Sequence, residues 1–236
     1  ALECGGLPPR KQACAIHGGS KLPHSGGMFS APMLALVLAA ILTVDKPHGE
    51  VRFGAMVQPD AMSRAFGVKG HHAIVWRGGK SKKWALFVAD PSDHDVRVAL
   101  DSLGAHRGEN LTADSWNKRD DDGSVEPDKR VEGTPIDVFV EWPGQARVPL
   151  AALLEEKGHA SPLLDFRYGG NERFQAEFKS GCIVCLYSCP GGAVGNHSHP
   201  IRDYVRDGVV YTSRPNRLPH EGSRVTIILK PRMEGP

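Results

Sequence analysis

Charge of one sign is scarce in this chain. Lys and Arg number 29 against 27 Asp and Glu, a formal net charge of +2 over 236 residues. That balance excludes a strongly basic nucleic-acid binder by bulk charge. Long apolar runs are missing too: no stretch reaches the about 18 unbroken apolar residues of a membrane-spanning helix. Aromatic residues make up only 7%, and five cysteines are too few for a disulfide scaffold. A chain of this length buries enough core to fold without one. G-x-S-x-G, H-E-x-x-H and a phosphate loop are all absent, and no repeat of fixed period occurs. What remains is a globular composition, 40% hydrophobic and 24% charged. It is slightly loop-rich, since 27 Gly and 18 Pro make about 19% of the chain against roughly 12% in average proteins. The length fits one large domain or two small ones.

Residues 1–27 carry Cys4, Cys14 and many Gly and Pro but little periodic hydrophobicity, and read as a disordered or upstream extension. Met28 reads as a start codon. From Ala31 to Val44 runs an apolar segment broken only by Pro32 and Thr43. It is too short for an ordinary membrane span and fits the hydrophobic core of a signal peptide, with small residues near Ala39-Ala40 as a cleavage site. The alternative is a buried core helix. Without residues 1–27, each sign of charge numbers 26 and the net charge is zero. Three cysteines then remain, close together: Cys182, Cys185 and Cys189.

The folded domain is expected over 49–236, after an extension and signal peptide at 1–48. Alternation predicts strands at Glu50–Gln58 and Thr134–Trp142. His71–Trp76 and Trp84–Ala89 are rich in β-formers, and Gly78-Gly79 between them predicts a hairpin. Ser92–Leu103 reads as an amphipathic helix stopped by Gly104. Glu109–Arg130 reads as a long exposed loop, in which Asp120, Asp121, Asp122 and Gly123 lack the ligand spacing of a calcium loop. Leu150–Lys157 reads as a helix, Leu163–Tyr168 as a strand, and Glu172–Phe178 and Pro200–Arg206 as short helical turns. A buried strand at the cysteines, Val209–Thr212 and Arg224–Leu229 complete the elements. Strands outnumber helices, so the fold class is α+β, with a mainly antiparallel or mixed sheet and a few short helices.

Cys182-x2-Cys185-x3-Cys189-Pro190, followed by Gly191-Gly192, carries the chemistry. Soft thiolates at this spacing suit zinc or an iron–sulfur cluster. The pattern matches the end of the ferredoxin run C-x2-C-x2-C-x3-C-P, with one Cys absent. His197 and His199 follow closely and either would complete a Cys3His site. The Gly191 and Gly192 amides are placed to reach the sulfurs. A disulfide, a thiol-exchange pair and plain core cysteines stand as alternatives. His71-His72 opens a strand, where neighbours point to opposite faces, and reads as structural. Glu172 and Arg173, near the cysteines in sequence, read as a salt-bridged turn, and Asp203 and Arg206 as an intrahelical pair.

Three segments, GVKGHHAIVW (Gly67–Trp76), GTPIDVFVEW (Gly133–Trp142) and SGCIVCLYSCPGG (Ser180–Gly192), make the stretch from about Glu50 to Arg232 resemble the YdjY-domain family of bacterial proteins. Some members of that family are described as ferredoxin-like or iron–sulfur proteins. The resemblance therefore implies a cluster, of the 4Fe-4S kind, at Cys182, Cys185 and Cys189. Together these readings point to an exported, periplasmic metal- or iron–sulfur-binding accessory protein that meets a redox partner protein. Neither nucleic acid nor a stable membrane span after signal removal belongs to that reading. The competing reading is a periplasmic binding or scaffold domain with structural or disulfide cysteines.

Overall fold

The computed structural model describes residues 41–62 and 70–233. The leader readings fall outside these residues, except for the last part of the apolar run. Leu42–Asp45 forms a strand, β1, paired antiparallel with β2 (Glu50–Val57). The sheet thus takes in residues upstream of Gly49, where the folded domain was expected to begin.

Ten strands form one mixed sheet. Besides β1 and β2 these are β3 (His72–Trp76), β4 (Ala85–Ala89), β5 (Ile136–Trp142), β6 (Gln145–Pro149), β8 (Phe166–Tyr168), β9 (Cys182–Cys185), β10 (Gly192–Asn196) and β12 (Arg224–Pro231). The order is β6-β5-β12-β2-β4-β3-β9-β10-β8, with β1 beside β2. Alternation makes β5 one-sided: Ile136, Val138 and Val140 are buried, and the residues between them are not. The β5–β6 hairpin turns at Gly144, whose φ of +81° suits glycine. The sheet curls until its far strand meets its other end, with Arg167 of β8 bridging Pro135 just ahead of β5. Inside this curl lies the main core, which includes Phe53, Phe87, Ile74, Val184, Tyr187 and Ile227.

Helix α1 (Asp93–Ser102) matches its sequence signals within a residue. The Ser92 hydroxyl accepts from the Asp95 amide at 3.1 Å, and the Asp95 carboxylate accepts from the Ser92 amide at 3.0 Å. Val96, Ala99 and Leu100 are buried.

Three expectations fail for identifiable reasons. β3 and β4 run parallel rather than as a hairpin. The connection between them turns back instead along the segment leading into β9, with Lys80 and Ser81 amides donating to Lys179 and Ser180 carbonyls. The glycine signal there reflects close packing: a Cβ on Gly79 would stand 2.3 Å from the Ser180 carbonyl oxygen. The segment read as a helix from Leu150 is a short 3-10 turn, Leu150–Leu153, followed by strand β7 (Leu154–Glu156). β7 pairs antiparallel with β11 (Tyr211–Ser213) in a second, two-stranded sheet, and that distant partner overrides the local helical pattern. The polar stretch 109–130 is not all exposed loop. It holds α2 (Ala113–Asn117), and Leu111, Ser115 and Pro127 are buried. With so few apolar residues it carries no readable periodicity.

Two more short helices, α3 (Glu172–Phe178) and α4 (Ile201–Val205), fall where sequence placed helical turns. Among the described residues no helix is long and apolar enough to cross a membrane.

Candidate metal centre

All four residues of β9, Cys-Ile-Val-Cys, are buried. Strict alternation would send side chains three positions apart to opposite faces. The pairing with β3 is irregular, however: Cys182 lies opposite Val75, Val184 opposite Ile74, and Cys185 opposite His72. Between Cys182 and Val184, two steps of β9 face one step of β3. Between Val184 and Cys185 the mismatch reverses, one step of β9 facing two of β3; irregular pairing of this kind re-aims side chains, and the Cys182 and Cys185 sulfurs stand within 4.8 Å of each other. After β9 the chain curls through Cys189 and Pro190 into β10, which returns parallel to β9. The curl carries the Cys189 sulfur back towards Cys185.

The imidazoles that meet these thiols come from the start of β3. His71, Cys185 and Cys189 form one group of donor atoms all within 4.8 Å of one another. His72, Cys182 and Cys185 form a second, also within 4.8 Å. His72 Nδ1 lies 3.2 Å from Cys182 Sγ. The two imidazoles stack face to face, with centroids 4.3 Å apart and planes 8° from parallel. They share a side because His71 precedes the strand and escapes its alternation. The expectation that the two neighbours point to opposite faces is thereby corrected. The adjacent His pair was the signal available in sequence; the irregular pairing that makes it useful was not.

His197 and His199, the expected partners of the thiols, lie elsewhere. His197 Nδ1 is 2.7 Å from the Val131 carbonyl oxygen. His199 is held between Glu156, 3.3 Å from Nε2, and Asp203, 3.2 Å from Nδ1. Asp203 thus faces His199, and Arg206 pairs with Asp122, so the expected Asp203–Arg206 pair does not form. Glu172 does sit in a salt-bridged turn, with Arg107 at 2.9 Å. It also lines a cavity of about 600 Å³ with Leu111, Asp114, Phe174 and Glu177, which contains no thiol.

Burial sets the protonation of the centre. Cys182 and Cys185 are fully buried and Cys189 is 4% exposed. Burial and the neighbouring Cys182 push the Cys185 thiol well up. The contact with Cys185, together with burial, does the same to Cys189. Burial drives His72 the other way, down to about 4, so its imidazole is neutral at physiological pH and free to act as a ligand. All three cysteines are free thiols. An aromatic cover lies over His71: Tyr204 of α4 at 4.4 Å, with Trp116 of α2 and Tyr187 each at 5.7 Å.

Of the two glycine amides expected near sulfur, Gly191 N–H donates to Cys189 Sγ at 3.4 Å, whereas Gly192 N–H donates to the Cys189 carbonyl. Gly192 is needed for a different reason. A Cβ there would stand 2.9 Å from the Cys185 Cβ and 3.0 Å from the Val194 carbonyl oxygen. Gly192→Ala is expected to destabilise the fold by about 1–3 kcal/mol through overpacking. Denaturant titration of the two proteins checks this.

The YdjY domain family matches residues 42–230. The "Uncharacterized protein YdjY" of Escherichia coli strain K12 is 29% identical over 162 residues, which covers 67% of this chain and 66% of that protein. The chain thus spans just under two thirds of that relative's length. No solved structure matches. The family match runs from β1 to the last strand of the sheet and takes in all five Cys and His donors: the chain belongs to the YdjY domain family.

Proposed function

We propose that this protein is a metal-binding accessory protein of a redox system, exported to the periplasm, that holds a thiophilic metal between β3 and β9. One observation carries the reading: three thiols and two imidazoles converge as two donor sets, each within 4.8 Å. Thiolate and imidazole select zinc, copper or iron over hard cations. The size of each set favours separate ions over a cubane. With bonds of about 2.3 Å to sulfur and 2.0 Å to nitrogen, donors on one tetrahedral ion stand roughly 3.5 Å apart. A 4Fe-4S core would hold its thiolates further apart by the width of its own inorganic atoms. Export rests on the apolar run that ends in β1, and a redox partner on the soft donor set. Zinc, as the ion that best fits Cys and His in compact sets, is the first cofactor to test.

Protein purified anaerobically is expected to contain at least one equivalent of zinc, copper or iron by elemental analysis, and to lose thermal stability on chelation. Metal-free protein whose melting temperature does not respond to added Zn(II) or Cu(I) would overturn the reading. Brown protein with acid-labile sulfide would reassign the group as an iron–sulfur cluster.

A further inference from the structure

The two donor sets have one member in common. His71 and Cys189 belong to the first, His72 and Cys182 to the second, and Cys185 to both. We infer that the centre is dinuclear: two thiophilic ions bridged by the Cys185 sulfur, each completed by one imidazole and one terminal thiolate. The inference rests on the metal-binding reading above and adds the number of ions and the role of each residue.

The layout around Cys185 favours a bridge. Its sulfur lies within 4.8 Å of the Cys189 sulfur in one set and of the Cys182 sulfur in the other. Stacked at 4.3 Å, the two imidazoles present one ring to each donor set. A thiolate sulfur has lone pairs for two metals, and a bridge leaves no donor of the five idle. Charge points the same way. Three thiolates against two divalent ions leave one net positive charge; against two Cu(I) ions they leave one net negative charge. Either is close to neutral, as a buried site requires. Three protein donors per ion leave a position on each for solvent or an incoming ligand.

Titration of the full chain, reduced and metal-free, with Co(II) and then Zn(II) tests this. Sulfur-to-cobalt charge-transfer absorption is expected to grow to two equivalents per chain. The Co(II) paramagnetic resonance signal is expected to rise to one equivalent and fall towards the second, as a shared thiolate couples the two ions. Cys182→Ser and Cys189→Ser are each expected to retain one equivalent, bound without that loss of signal. In Cys185→Ser both sites are expected to weaken by tenfold or more. Saturation of the wild-type chain at one equivalent overturns the dinuclear centre and leaves the metal-binding reading intact. So does a resonance signal that doubles without loss. No binding of either metal overturns both.

Discussion

Lowering the pH by one unit is expected to weaken metal binding about a hundredfold between roughly pH 5 and 8. The sign follows from the protonation of the empty centre. Cys185 and Cys189 are pushed well above the ordinary thiol range, so both carry protons across that window. Only thiolate binds metal. The donor set with His71 holds both of these thiols, so an ion entering it must displace two protons, and its affinity gains about two powers of ten per pH unit. The imidazole adds nothing to the slope for the second set, because His72 stays neutral until the pH falls to about 4. Below that value its protonation steepens the loss. Competition with a chromophoric zinc chelator at a series of pH values reads the slope directly. A flat profile would mean that the thiols are not the ligands. In Cys182→Ser the remaining set keeps both its thiols, so the two-proton slope is expected to survive there.

Arg202→Ala is expected to destabilise the fold by about 2 kcal/mol and to uncover the cluster of thiols and imidazoles. Arg202 lies in α4 and is 5% exposed. Its guanidinium donates to both carboxylate oxygens of Asp128, at 2.6 and 3.0 Å, and to the carbonyls of Asp121 and Ser124. This planar fork of donors ties the polar stretch 109–130 to α4. The carboxylate of Asp128 is half exposed and regains water when the arginine is removed, which holds the cost below that of a fully buried pair. The functional consequence follows from position. Tyr204 is two residues along α4 and packs on His71, as does Trp116 of α2. Loosening the tie is expected to expose Cys189 and to accelerate its alkylation in the metal-free protein. A fall in melting temperature of about 5 °C is expected alongside. Arg202→Lys keeps the charge but not the fork, and is expected to recover less than half of the stability. Unchanged alkylation in Arg202→Ala would show that the α2–α4 cover does not protect the thiols.

Much of the fold was legible where local chemistry decides it. The helix start at Ser92, its stop at Gly104 and the alternation of β5 each concern neighbours in sequence, and each lies where the sequence places it. The failures share a cause as well. Gly78-Gly79 looks the same whether it turns a hairpin or lets the backbone pass close to Ser180. Leu150–Glu156 has a helical pattern, but β11 supplies backbone partners that no local signal announces. Leu111 and Trp116 are too isolated to show a period, yet Arg202 and α4 make a folded cover of their stretch.

The cysteines show the same division most sharply. From its residues alone this protein is an α+β domain with three thiols in a short run, because composition, alternation and cysteine spacing are local properties. Which imidazoles meet those thiols was decided only by tertiary structure. His197 and His199 are near in sequence, but the curl into β10 and the pull of Val131, Glu156 and Asp203 take them elsewhere. His71 and His72 are 110 or more residues away from the thiols they touch. They reach them because β3 lies beside β9 in an irregular pairing, with the Cys182 and Cys185 sulfurs within 4.8 Å of each other and of His72. Such an irregularity is a mismatch between two strands, so neither strand's sequence reveals it until they are paired.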